Sequence, residues 1–177
     1  MKKIFSILIL FFACSTAIFA EDAVIINAQA DIAVQKFYKN VKGGEDFLGK
    51  VKGYVVFPAV YKAGFIIGGE YGEGVLRYDG ENKGYYSLTS GSIGYQIGAQ
   101  KRAILIAFIS QRALDKFLES NGLTVGVDGG INVGLWGASK DLSTVSFESD
   151  AIAFVFDETG LMGGIAIDGS KIAPIAR

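Results

Sequence analysis

The side chains able to do chemistry in this sequence are almost all carboxylates. Glu70 and Glu73 stand three residues apart in a glycine-rich stretch, and Asp128, Asp150 and Asp157 follow farther along. Two carboxyl groups facing each other across a cleft could act as acid and nucleophile, or acid and base, as in glycoside hydrolysis. No other ordinary enzymatic chemistry is left. The sequence has no histidine and one cysteine, Cys14, which removes zinc sites built from nitrogen and sulfur and nucleophiles activated by imidazole. No Ser-x-x-Lys occurs, and the 24 glycines form neither Gly-x-Gly-x-x-Gly nor a phosphate loop. On a strand, residues three apart point to opposite faces, so Glu70 and Glu73 would meet only across a turn. The expectation is a protein that binds rather than catalyses, with no cofactor and no metal. A carboxylate-based hydrolase is the enzymatic alternative.

The second chemically suggestive group is cationic. Lys36, Lys39, Lys42, Lys50, Lys52 and Lys62 fall close together, opposed locally by Glu45 and Asp46. Lysines near an anionic membrane contribute about 1 kcal/mol each, enough for attraction but not for stable anchoring. Lys101-Arg102 and Arg112 form a second candidate group for phosphate. The whole sequence holds 17 basic and 18 acidic residues. Without Lys2 and Lys3 it would hold 15 against 18, so the lysine-rich segment is a local excess in an acidic domain. That balance argues against nucleic acid as a partner.

These side chains need elements to carry them. Residues 23–40 contain no glycine or proline and read as a helix, with Val24, Ala28, Ile32 (or Ala33) and Phe37 at helical spacing. Such a stripe either packs on its own domain or lies in a membrane interface. Gly43-Gly44 ends the helix, and residues 45–50 fit one further turn. Every glycine lies from Gly43 onward. Short strands are expected there: 54–57 stopped by Pro58, then 64–70, 74–78, 84–99, 103–109, 123–127, 131–136, 151–156 and 164–167. Asp79-Gly80-Glu81-Asn82 reads as a turn. Residues 111–120 read as a second helix with Leu114, Phe117 and Leu118 inward. Trp136 reads as core or rim packing. Glycines within strands, such as Gly68, Gly69, Gly94 and Gly98, point to sharp bends or bulges. The fold class expected is α+β, a curved, barrel-like, mainly antiparallel and glycine-rich sheet with an N-terminal helix and one internal helix.

The first residues read as a targeting segment. Met1-Lys2-Lys3 is cationic, residues 4–20 are mostly apolar, and Glu21-Asp22 follows. This is the layout of a secretory signal peptide cleaved after Ala20, leaving residues 21–177 as one domain. Cys14 behind Ala13 offers an alternative, a lipoprotein anchored through that cysteine. The expected location is exported, periplasmic or envelope-associated.

An ordered series of motifs then closely resembles the SYLF domain family. It begins with Phe57-Pro58, Lys62-Ala63-Gly64-Phe65 and Gly68-Gly69-Glu70-Tyr71-Gly72-Glu73-Gly74. It continues through Gly84-Tyr85-Tyr86-Ser87, Gln96-Ile97-Gly98-Ala99-Gln100 and Val125-Gly126-Val127-Asp128. Phe154-Val155-Phe156, Gly160-Leu161-Met162-Gly163 and Gly169-Ser170-Lys171-Ile172 complete it. The resemblance implies phospholipid binding, with phosphoinositides the ligand of eukaryotic members. Some eukaryotic relatives also bind actin, a partner not expected for an exported bacterial protein. It carries no catalytic residue set. The implied function is non-enzymatic binding of anionic phospholipid, or of the membrane surface, at the bacterial envelope. Headgroups would meet Lys36, Lys39, Lys42, Lys50, Lys52 and Lys62, and apolar contacts would come from Val24, Ala28, Ile32 and Phe37. The alternative is a structural or protein-interaction module that binds another envelope protein.

Overall fold

The computed structural model describes residues 22–120, 123–125, 133–137, 150–160 and 169–177, and of 64–67, 92–98 and 133–137 the backbone only. The expected signal segment with Cys14, Asp128, the expected strand over 164–167 and the side chain of Trp136 lie outside what is described. Helix α1 (Ala23–Asn40) and the short α2 (Gly44–Leu48) lead into strands β1 (Gly53–Tyr78) and β2 (Glu81–Phe108). Helix α3 (Gln111–Glu119), β3 (Leu123–Thr124), β4 (Val133–Gly137), β5 (Ala151–Gly160) and β6 (Lys171–Ile175) follow. This is an α+β fold on a curved, mainly antiparallel sheet, as the sequence implied.

The organising element is one very long hairpin. β1 and β2 pair from Gly53 opposite Phe108 to Tyr78 opposite Glu81. Asp79 and Gly80 close it with φ of 53° and 74°. Positive φ at both central residues is the two-residue hairpin turn whose twist matches that of the strands. The separate strands expected over 54–57, 64–70 and 74–78 are thus one strand, as are those over 84–99 and 103–109. Pro58 does not end β1. The register slips between Phe57 and Val60, and again between Gly64 and Ile66. A proline is tolerated at such an irregularity because no ladder donor is required of it.

These slips bend β1 until its two ends touch. A Cβ added at Gly74 would lie 2.4 Å from the Val56 carbonyl oxygen, and one at Gly72 would lie 2.8 Å from that of Ala59. Only glycine lets backbone meet backbone at this range. The other strands attach to β2, with β5 antiparallel along residues 100–108 and β6 antiparallel along residues 85–89. β3 extends from β6, and β4 runs parallel to β5.

Both faces of the sheet are covered. On one, α1 and α2 pack onto Val56, Val75, Leu105 and Phe154. Phe154 meets the rings of Phe37 at 4.9 Å and Phe47 at 5.4 Å, both edge-on. On the other, Ala113, Leu114 and Phe117 of α3 close over Phe57, Leu88, Ile104 and Phe108. Each such aromatic or aliphatic side chain contributes about 1.5–3 kcal/mol when fully buried. Leu118, expected inward, is 42% exposed. Helix α3 begins at Ser110, whose hydroxyl accepts from the Ala113 N–H at 3.1 Å, satisfying one of the free donors of a first turn.

Candidate functional site

Helix α1 carries two apolar stripes. The buried one is Ile26, Ala30, Ala33, Val34 and Phe37. The other faces solvent, with Val24 77%, Ile25 46% and Ile32 59% exposed, and Ala28 exposed among them. The expected grouping of Val24, Ala28, Ile32 and Phe37 is therefore corrected at Phe37, which is fully buried against Phe154 and Phe156. The reason is angular. Five residues separate Ile32 from Phe37, and at about 100° per residue that step carries Phe37 to the opposite side. Ile25 belongs to the exposed stripe and was missed because neighbouring residues do not share a strict i, i+4 pattern. Among the described residues, no helix is long and apolar enough to cross a membrane.

The six lysines do not form one equivalent set. Lys36 is engaged by Asp157 at 2.6 Å. Lys62 lies against Glu70 at 3.2 Å with its side chain 15% exposed. Lys39, Lys42, Lys50 and Lys52 are exposed. Lys39 lies in the last turn of α1, Lys42 follows just beyond its end and Lys50 comes just after α2, so these three sit on and beside the helix pair. The second cationic group is dispersed. Arg102 is buried with its side chain 0% exposed, Arg112 pairs with Asp150, and Lys101 stands over the ring of Tyr61 at 5.8 Å. Burial removes Arg102 from any surface contact with phosphate.

The carboxylates are committed to cations. Glu70 takes Arg102 on Oε2 at 2.7 Å and Lys62 on Oε1. Glu73 accepts from the Tyr71 hydroxyl at 2.6 Å and from the Arg177 guanidinium through both oxygens. Glu70 and Glu73 therefore serve separate ion pairs, and the acid pair that the hydrolase alternative requires is not assembled. Asp150 braces the start of α3, accepting from the Ser110 hydroxyl at 3.1 Å. Asp157 holds Lys36. Tyr71 is pushed up to about 12 by burial and then by its hydrogen bond to Glu73. No group of three or more metal-ligating side chains occurs among the described residues.

The geometry offers an exposed apolar helix face with lysines beside it, and no assembled pair of catalytic carboxylates among the described residues. Residues 89–176 match a family model described as Ysc84, Las17-binding protein actin regulator. SH3 domain-containing YSC84-like protein 1 of rat and of mouse are each 29% identical to this chain over 129 residues, and the bovine protein is 27% identical. Those matches cover 70% of this chain and 37% of each relative, so the chain spans little more than a third of the curated relatives it matches. The likeness to SYLF-domain proteins read in the sequence therefore stands, carried by the match of residues 89–176 to the Ysc84 family model.

Proposed function

We propose that the protein is a non-enzymatic, peripheral phospholipid-binding protein of the bacterial cell envelope. The observation that carries this reading is the outer face of α1, where Val24, Ile25 and Ile32 lie exposed on a helix whose last turn carries Lys39. A helix with an apolar face and lysines beside it can lie in the interface between headgroups and acyl chains. Lys39, Lys42 and Lys50 add electrostatic attraction of about 1 kcal/mol each near an anionic leaflet. The Ysc84-family match supports a binding or regulatory role. Actin regulation, which the family's description names, is not part of this proposal. The apolar amino-terminal segment is read as an export signal, with a lipid on Cys14 as the alternative route to the membrane.

The test is sedimentation of residues 21–177 with liposomes, neutral against anionic, at low and physiological salt. Salt-sensitive binding to anionic vesicles alone supports the mechanism. Absence of binding to both vesicle types, with a protein partner retained after detergent washing, would replace it with the interaction-module reading.

A further inference from the structure

A groove of about 960 Å³ runs between α1, the α2–β1 junction and the closed end of the hairpin. It is separate in chemistry from the lysine-flanked helix face. Three tyrosines, Tyr38, Tyr54 and Tyr78, line it, each partly buried against the cores. Its charged lining is Asp31, Glu45 and Asp79 against Arg77 and Lys52, one negative charge in excess. The guanidinium of Arg77 is already occupied. It pairs with Asp31 at 2.7 Å, donates to Asn82 Oδ1 at 2.8 Å and reaches the Asn27 carbonyl oxygen. An anionic headgroup would find no spare guanidinium charge here.

Asn27, on the wall of the same groove, gives the second observation. Its amide nitrogen donates to the Tyr85 hydroxyl at 2.9 Å, while its Oδ1 is buried without a hydrogen-bond partner. A phenol can donate or accept, so turning the amide over would only exchange which end is left unpaired. A buried amide oxygen left unpaired costs about 1–3 kcal/mol; it is closed off from solvent, so a ligand hydroxyl recovers that cost by drawing the Asn27 side chain toward the groove.

We propose that this groove binds a neutral polyhydroxyl ligand, one or a few sugar rings, with tyrosine rings against the C–H faces and Asn27, Asn82 and Gln111 exchanging hydrogen bonds with hydroxyls. The argument for this class is the combination of aromatic rings, planar amides and a charge close to balance. The walls of the groove are more polar than apolar, which suits a ligand that presents hydroxyls. A sugar carried on a glycolipid headgroup and a free oligosaccharide present the same chemistry. This inference does not depend on the anionic-lipid reading, because it uses different residues and an uncharged ligand.

The test uses the full chain with tyrosine rings labelled with carbon-13, titrated with maltose and with N,N′-diacetylchitobiose, and separately with neutral vesicles containing galactosyl diacylglycerol. The expected result is saturable shifts at Tyr38, Tyr54 and Tyr78 and not at Tyr61 or Tyr71. Shifts with the soluble sugars assign a free saccharide, and shifts with the vesicles alone assign a glycolipid. Asn27→Ala should weaken binding about tenfold; it removes the bond to the Tyr85 hydroxyl together with the unpaired acceptor, so Tyr85→Phe, which removes that bond alone, should match its loss of melting temperature while leaving sugar binding unchanged. Tyr54→Leu keeps the apolar contact with the core and should weaken binding as well. The inference is overturned by the absence of saturable shifts with every sugar probe. It is also overturned if inorganic phosphate or an alkylamine moves the same three rings at lower concentration.

Discussion

Arg102 and Glu70 form an ion pair sealed from water, with Nη2 and Oε2 2.7 Å apart and side chains 0% and 5% exposed. Lys62 joins on the other carboxylate oxygen, so one anion holds two cations where β1 and β2 bend. Removing one partner of a buried pair leaves an uncompensated charge and costs about 3–5 kcal/mol, whereas replacing both by apolar groups can be nearly neutral. Glu70→Leu and Arg102→Met should each lower urea stability by that order. The double variant should be more stable than the sum of the two losses implies. Simple additivity would mean that the pair is not coupled.

Gly74 should tolerate no side chain. Gly74→Ala brings a methyl to 2.4 Å from the Val56 carbonyl oxygen, a backbone atom that cannot swing away. A loss of about 2–4 kcal/mol is expected, at or beyond the upper end of overpacking costs. Gly91→Ala is the control, because a Cβ there meets nothing within 4 Å. That change should be neutral or stabilise by up to about 1 kcal/mol through the unfolded chain. Thermal melts of the two variants measure the contrast, and equal melting temperatures would contradict the doubled-back strand.

Tyr71 should be the late-titrating phenol. Its pKa is raised from the ordinary phenol value to about 12 by burial and by Glu73. A raised folded pKa means the native state holds the proton more tightly than the unfolded chain. The associated stability is fully present below the unfolded value of about 10 and is lost as pH rises through about 12. Glu73→Gln should bring the phenol back toward its ordinary value, leaving the part due to burial. Ultraviolet titration of phenolate absorbance in the two proteins checks this.

Vesicle binding should separate the lysines. Lys39→Glu with Lys42→Glu should weaken binding to anionic vesicles about tenfold or more at low salt, two reversed charges each forfeiting at least the attraction of one lysine. Ile32→Ser should weaken it with little salt dependence, through lost apolar area. Lys62→Glu should instead lower the melting temperature, because it sets a like charge against buried Glu70. Unchanged binding in the first two variants would leave the α1 face without a lipid role.

Much of the frame was readable in the residues. The helix over 23–40 showed itself by the absence of glycine and proline, and Asp79-Gly80 by a composition that demands positive φ. The bends were foreseen and in part placed, since the slip between Gly64 and Ile66 faces the stretch from Gly94 to Gly98, whereas Gly68 and Gly69 pair in register. Whether Pro58 ends a strand or sits at a register slip is decided by the partner strand, and Ala99 through Phe108 do not announce their pairing locally. The outward stripe of α1 was misassigned at Phe37 because the helix is apolar on more than one side. Arg102 was unreadable for a related reason. Inside a run such as Arg102-Ala103-Ile104-Leu105, only the location of Glu70 across the sheet explains a buried guanidinium. The groove beside α1 joins residues far apart in the chain and left no local pattern.

The contact of Gly74 with Val56 also bears on the order in which the chain assembles. Both residues belong to one strand and lie close in sequence, so the curl closes over a short loop with a small entropic cost. β5 and β6 instead reach β2 from much farther along the chain. Pairings of high sequence separation are the slow ones in folding. The curled hairpin is therefore suited to act as the folding nucleus, a preformed trough onto which the later strands dock. On that account the glycines of β1 govern how fast the fold is reached as well as how it is shaped.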